Sequence, residues 1–349
     1  MINDEISVSA QNLYVFMRDA FMKVNVKKDV AEYVAEGLVQ TSLRGVDSHG
    51  IRLFSHYVEG VKKGRINPDP DYKFKKTSSS TGLFDADHTF GHASGIEAAK
   101  KAIELAKNAG TGNVAVYNSS HFGAAAYYGL EIAKHDMIGM SFTNTDALIK
   151  THAGKRAFLG NNPICVVIPM EGEEPFCLDM ATSVITFNKV RELKENNLTA
   201  PSKTGADSEG IETTDPHKIS MLLPVGSYKG YGLSMVVEIF CSLLTGMPYG
   251  PHIPKMFEAS MTEKRYLGHF ITAMRIDCFQ DVKQFKKRFY DMVNEMRNEP
   301  RLDSDMPIQV PGDPEKKKAQ IRNETGIPMT KDLFDKFSNI ADNFNIKFV

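Results

Sequence analysis

Apolar positions at three- and four-residue spacing open the chain. Leu13, Phe16, Met17, Ala20 and Phe21 form one stripe over residues 9–25, behind Ser9 as a capping side chain. Val30, Val34, Leu38 and Val39 repeat the pattern over 28–43. A third helix is predicted from Asp47 or Ser48 to Gly64, with Leu53, Tyr57 and Val61 as its apolar stripe. On that helix His49, Arg52 and His56 would share one face. The run Arg65-Ile-Asn-Pro-Asp-Pro70 ends this helical unit, because its prolines cannot continue a helix.

From residue 73 the pattern changes. Short apolar runs read as strands at 82–85, 112–118, 137–144, 164–169, 175–180 and 267–277. Amphipathic stretches at 91–110, 120–134, 183–195 and 281–298 read as helices, the last with Phe285, Phe289, Met292 and Met296 on one face. A glycine-rich turn, 226–232, leads into a very apolar helix over 233–244. The polar stretch 198–216 reads as an ordered loop or lid, and two more helices close the tail. Strands that follow one another so closely predict an antiparallel or mixed sheet in an α/β (α+β-like) fold, not a regular βαβ succession.

With 349 residues, the chain exceeds what one hydrophobic core usually serves. It is 42% hydrophobic and 24% charged, with a formal net charge of −1, which suggests neither nucleic acid nor an anionic membrane as partner. No apolar run reaches the length of a membrane span, and the N-terminal residues lack signal-peptide character. Cys165, Cys177, Cys241 and Cys278 are widely spaced and form no CxxC, so they read as reduced thiols of a cytoplasmic protein.

Four stretches could carry chemistry. In Arg44-Gly-Val-Asp-Ser-His-Gly-Ile-Arg52, a helix start beside Arg52 and His49 would suit a carboxylate with a proton donor next to it, as in a 2-hydroxy or 2-oxo acid. In Asn118-Ser-Ser-His-Phe-Gly-Ala-Ala-Ala126, a buried strand turns into a helix with Ser119 or Ser120 as its cap. His121 is there a candidate proton donor or acceptor, and the thin first turn would admit a ligand. In Phe176-Cys-Leu-Asp-Met-Ala-Thr-Ser183, Asp179 ends a strand, and Thr182 or Ser183 would cap the next helix. Gly226-Ser-Tyr-Lys-Gly-Tyr-Gly232 offers glycines and Lys229 as a possible phosphate cradle. Gly110-Thr-Gly-Asn-Val-Ala115 matches GxGxxA, but it precedes a strand and so fails as a Rossmann fingerprint. His88 and His92 lack the setting of a metal site, and no metal is expected.

Together these stretches resemble the malate/L-lactate dehydrogenase family that lacks a Rossmann fold. The resemblance rests on residues 44–53, 118–129, 160–169, 175–183, 213–216 and 229–246, in the family's order and at compatible spacing. It implies hydride transfer between NAD or NADP and a small 2-hydroxy/2-oxo acid, in a homodimer with the active site near the subunit interface. It also implies that Ser48 and His49 are the motif's serine–histidine pair and that Arg52 clamps the substrate carboxylate. It leaves open whether His49 or His121 moves the proton. Thr145, Asp179, Met180, Ala181 and Lys229 match the cofactor contacts. The expected division is 1–64 with 326–349 as a helical substrate and dimerisation unit, 65–134 with 289–325 as a mixed α/β unit, and 135–288 as the cofactor domain. The chain departs from the family at Lys150-Thr-His-Ala-Gly154 and Asn188, and it has no tryptophan before Thr213-Thr-Asp-Pro216. Reduction of a cyclic imino acid with NADPH, or an inactive binding protein of the same fold, are the alternatives.

Overall fold

A computed structural model describes residues 5–349. The apolar stripes at the start become helices Ala10–Lys23 and Lys28–Leu43. Ser9 caps the first, its hydroxyl accepting the Asn12 N–H at 3.1 Å. Phe16, Phe21 and Phe54 pack with Phe337 from the C-terminal helix Lys331–Phe344 in the first hydrophobic core. A two-stranded pair, Ile6–Val8 with Ile327–Met329, also ties the two ends of the chain together.

The second core lies against a seven-stranded sheet. Its spatial order is Lys73–Lys76, Thr81–Asp85, Thr111–Ser119, Leu267–Arg275, Met137–Thr143, Ile164–Ile168 and Phe176–Met180. Only the Thr81–Asp85 and Thr111–Ser119 strands run parallel; the other neighbours are antiparallel. This is the mixed, mostly antiparallel sheet expected. Helix Gly91–Ala109 covers it and ends at Gly110, in the left-handed conformation. Gly112 is required because a Cβ there would come within 2.0 Å of the Ala102 carbonyl oxygen. The glycines of the discarded GxGxxA match thus serve a turn and a close helix–strand contact.

A smaller four-stranded sheet joins Gly205–Ala206, Met221–Leu222, Ile149–Lys150 and Ala157–Leu159. The loop expected over 198–216 thus contributes a strand to it. Among the described residues no helix is long and apolar enough to cross a membrane.

Several local expectations are corrected. The predicted helix over 48–64 is two 3-10 turns, Asp47–His49 and Ile51–Leu53, followed by helix Phe54–Lys62. The break is at Gly50, which packs so closely on Ser42 that a Cβ would meet the Ser42 hydroxyl at 2.0 Å; that hydroxyl takes the Ile51 N–H. His49, Arg52 and His56 therefore do not share a helix face. The helix predicted over 120–134 is only Ala126–Ala133, because Gly123 takes a φ of +72° ahead of it. Thr186, not Thr182 or Ser183, caps helix Phe187–Glu195; the Thr182 hydroxyl instead donates to the Asn161 carbonyl. Helix Val282–Arg297 buries only Val293 fully, and Met292 and Met296 remain exposed.

Candidate active site

The cavity that gathers the predicted residues encloses about 1230 Å³. Its wall includes Ser48, His49, His121, Thr145, Asp179 and Ala181. The turn ahead of helix Phe54–Lys62 supplies Ser48 and His49, and the segment leaving strand Thr111–Ser119 supplies His121. The two imidazoles stack, with ring centres 5.7 Å apart and planes 21° off parallel. Each Nδ1 meets a hydroxyl: Ser48 Oγ lies 2.8 Å from that of His49, and Tyr57 Oη lies 2.6 Å from that of His121. Among the described residues neither Nε2 has a hydrogen-bond partner, and neither is shut away from solvent, so both open to the cavity.

The surroundings disfavour charge on these rings. Burial lowers the pKa of His49. Burial, reinforced by His49, His92, Arg265 and His56, holds His121 well below the usual histidine range. His92 lies behind the site, buried, with both ring nitrogens unpartnered among the described residues. It is pushed down to about 3, mainly by burial. A Cβ on Gly123 would approach its Nε2 at 2.4 Å, so the glycine lets the His121 segment lie against that ring. His269 is also buried and low, but both of its nitrogens are engaged, by Thr143 at 2.8 Å and Ser119 at 2.7 Å. It is a structural histidine, and it takes the Ser119 hydroxyl that was expected to cap a helix.

Asp179 comes from the end of the edge strand. Its carboxylate accepts the Ala126 N–H at 2.8 Å and so occupies the helix start at which a ligand was expected. The carboxyl is hemmed in by protein yet faces the open cavity. Burial raises its pKa to about 6, against the lowering effect of the backbone N–H of Ala126.

Thr145 receives the Asn161 N–H on its hydroxyl at 3.1 Å, and the Asn162 side chain receives the Thr145 N–H at 3.2 Å. Beneath them lies Glu238, buried and bonded by Asn162 at 2.7 Å, Ser242 at 2.9 Å and the Gly250 N–H at 3.0 Å. Asn161 Oδ1 is buried near the wall without a partner among the described residues.

Three predicted residues are not on the wall. Arg52 and Lys229 are exposed, and Met180 is half-buried, all outside the cavity. Lys229 lies in helix Tyr228–Glu238, where Gly230 is needed because a Cβ would reach the Val225 carbonyl at 2.1 Å. The departures at 150–154 and at Asn188 also lie outside the cavity. Conversely, sequence reasoning missed Tyr57, taken as part of an apolar stripe, and the segment Gln309–Gly312, which closes one side of the cavity. A phenol one helical turn from Leu53 carries no signal of its partner until His121 is in place.

The malate/L-lactate dehydrogenase family model matches residues 8–338. Malate dehydrogenase of Pyrococcus abyssi is 33% identical, over 98% of this chain and 96% of that protein. L-sulfolactate dehydrogenase of Methanocaldococcus jannaschii is 32% identical, over 94% of each. The crystal structure of malate dehydrogenase from Entamoeba histolytica superposes with a TM-score of 0.93 at 31% identity, covering 99% of both chains.

Proposed function

Because the chain belongs to the malate/L-lactate dehydrogenase family, we propose that this cavity is where it transfers hydride between NAD or NADP and a small 2-hydroxy/2-oxo carboxylic acid. The observation that carries the reading is the stacked pair His49 and His121, both opening onto a cavity that Asp179 also lines. Two imidazoles at one oxygen suit the interconversion of a carbonyl and a hydroxyl, which needs a proton moved and a developing oxyanion held.

The residues present fit a nicotinamide dinucleotide. The cavity exceeds the roughly 300–1,000 Å³ usual for small-molecule sites, leaving space for a dinucleotide and a small acid. The unpartnered Asn161 Oδ1, the Thr145 hydroxyl and the Asp179 carboxylate offer polar contacts on its wall. When bound, the cofactor supplies or accepts the hydride. Ser48 orients His49, and Arg52, exposed three residues further along and off the cavity wall, is assigned to the substrate carboxylate by its place in the family motif. Asp179 and Ala181 hold the cofactor together with Thr145; Met180 and Lys229, off the cavity wall, are the further contacts expected from the family resemblance. The substrates favoured are malate- or sulfolactate-like acids, after the relatives. Neither cyclic-imine reduction nor an inactive fold is favoured, since the relatives named above are hydroxy-acid dehydrogenases and both histidines line the cavity.

The homodimer also belongs to this reading. Helix Tyr228–Glu238 and the π turn Ile239–Leu243 expose Leu233, Met235, Val236, Ile239 and Leu243. An apolar face of this kind is characteristic of a subunit interface. The inner side of the same helix bonds Asn162, whose side chain donates to the Ser234 carbonyl at 3.0 Å, so the interface would support the cavity wall. The four free cysteines support a reducing, cytoplasmic compartment.

The test is a spectrophotometric screen of 2-oxo acids, including oxaloacetate and sulfopyruvate, with NADH and with NADPH. Oxidation of a reduced cofactor dependent on one of these acids is expected. No oxidation with any of them, by a folded protein, would overturn the reading.

A further inference from the structure

The two histidines have different hydroxyl partners, and the difference divides their labour. Tyr57 is buried, 1% exposed, and among the described residues its phenol makes one hydrogen bond, to His121 Nδ1. If the phenol accepted a proton from Nδ1, its own O–H would be left with no acceptor. A buried donor without a partner is costly, whereas a phenol oxygen that accepts nothing is tolerated. Tyr57 therefore donates, and burial, which raises its pKa, keeps it a phenol. A neutral imidazole whose Nδ1 accepts carries its proton on Nε2, and that nitrogen faces the cavity.

We propose that Tyr57 fixes His121 as the neutral Nε2–H tautomer, a hydrogen-bond donor to the substrate's C2 oxygen, and that His49 alone transfers the proton. In this state His121 cannot serve as an acid without becoming imidazolate, and its one basic nitrogen is filled by Tyr57. Charging it would also force the Tyr57 O–H to turn away with nowhere to donate. The groups that bear most on it are His49, His92, Arg265 and His56, with Tyr57 in contact; none of these is a carboxylate, and the Asp179 carboxylate on the same cavity wall accepts the Ala126 N–H.

His49 is different. Its partner is Ser48, half-buried on the cavity wall, and a serine hydroxyl can rotate to donate to a bare Nδ1 or accept from a protonated one. Both charge states of His49 are then satisfied. In reduction, hydride adds to C2, the carbonyl π pair moves to O2, and O2 takes the proton from Nε2 of cationic His49. The His121 Nε2–H holds the same oxygen throughout and keeps its proton. His49 ends neutral and recovers a proton from cavity water; oxidation reverses each step.

Tyr57 is thus a positioning residue. This assignment rests on the dehydrogenase reading only for its catalytic meaning, so its first test needs no activity. Long-range ¹H–¹⁵N spectra of the whole protein labelled at histidine, with the His121 signals identified by their loss in His121→Gln, report the tautomer without substrate or cofactor. The expected result is a protonated Nε2 and a bare Nδ1 that do not titrate between pH 5 and pH 9, roughly the range that brackets an unperturbed histidine. Protonation at Nδ1, or titration in that range, would overturn the proposal even if the enzyme is active. The second test is kinetic. Tyr57→Phe should mix the tautomers and lower kcat by about tenfold or more while KM changes less than about threefold. In His121→Gln the pH limb of kcat/KM should persist, and in His49→Gln it should vanish. A limb that survives in His49→Gln and is lost in His121→Gln would overturn the assignment.

Discussion

The Arg322 guanidinium grips the Asp47 carboxylate in a two-point fork, Nη1 to Oδ1 at 2.6 Å and Nη2 to Oδ2 at 2.9 Å. Arg322 also donates to the Ser42 carbonyl, so one residue near the C-terminus pins both the end of helix Lys28–Leu43 and the turn that carries Ser48 and His49. Arg322→Met removes the fork and leaves a carboxylate in a largely enclosed place. Breaking a fully buried pair costs about 3–5 kcal/mol, and solvent reaching Asp47 reduces that to about 2 kcal/mol. The urea midpoint should fall accordingly, and kcat should drop because His49 loses its fixed setting. An unchanged midpoint would show that the fork contributes nothing to the fold.

The turn around Gly123 should be equally intolerant of change. Its φ of +72° strains any L side chain, and an added Cβ would press on His92 Nε2. His92 is enclosed and cannot swing out into solvent. Gly123→Ala is expected to cost on the order of 1–3 kcal/mol and to lower turnover by displacing His121, two residues before it. Thermal unfolding and kcat measured on the same preparation check both effects; a variant with wild-type values in both would remove the argument.

These two positions show what the sequence could and could not reveal. Periodicity was enough for helices Ala10–Lys23 and Gly91–Ala109, whose burial follows their apolar spacing, and for the strands of the mixed sheet other than the polar edge strand Lys73–Lys76. It failed where long-range contact overrides local preference. Gly50 reads as a tolerable residue inside a helix, but the close approach of Ser42 breaks that helix into turns. Ser119 reads as a cap, but His269, far along the chain, takes its hydroxyl. His49 and His121 were recognisable by chemistry and motif. Tyr57 was not, because its role depends on a ring 64 positions away. The very apolar stretch 233–244 lies in helix Tyr228–Glu238 and the turn after it, and its composition alone does not say which apolar surface remains uncovered in one chain.

Cofactor choice follows from the charges on the cavity wall. Its lysines and arginine, Arg44, Lys134 and Lys286, are each bonded to a carboxylate, Glu174, Glu131 and Asp136. Glu173 is likewise paired, with Arg297 and Lys316, whereas Glu36, Asp179 and Glu315 on the wall lie in no ion pair among the described residues and leave it negative. Lys189, which bonds Glu192, and Lys203 both lie outside the cavity. A ribose hydroxyl can donate to such carboxylates, whereas a 2′-phosphate would meet repulsion. NADH should bind about tenfold or more tighter than NADPH in a fluorescence titration. Equal affinity, or a preference for NADPH, would contradict this account.

Arg52 tests the substrate clamp separately from the proton chemistry. It is exposed, three residues after His49, and a guanidinium meets a carboxylate through a planar fork that an ammonium cannot reproduce. Arg52→Lys should raise KM for the 2-oxo acid by about tenfold or more while NADH affinity stays at the wild-type value. An unchanged KM would place the clamp elsewhere.

Asp179 makes a prediction whose sign is unusual for a carboxylate. Its pKa in the folded chain is raised to about 6 by burial, above the value near 3.9 of an unfolded aspartate. Between these two values the folded state holds the proton more tightly than the unfolded state does. Stability from this group is therefore full below about pH 4 and is lost as pH rises through about 6. The carboxylate opens onto the cavity, so solvent screens it, and the loss is discounted to on the order of 1 kcal/mol. Asp179→Asn keeps an oxygen for the Ala126 N–H and removes the charge. This variant should be more stable than the wild type at pH 7.5, and the difference should shrink to nothing near pH 4. Urea unfolding of both proteins across that range measures it. A variant less stable at pH 7.5 would mean that the charged carboxylate at the start of helix Ala126–Ala133 stabilises the fold more than its burial opposes it.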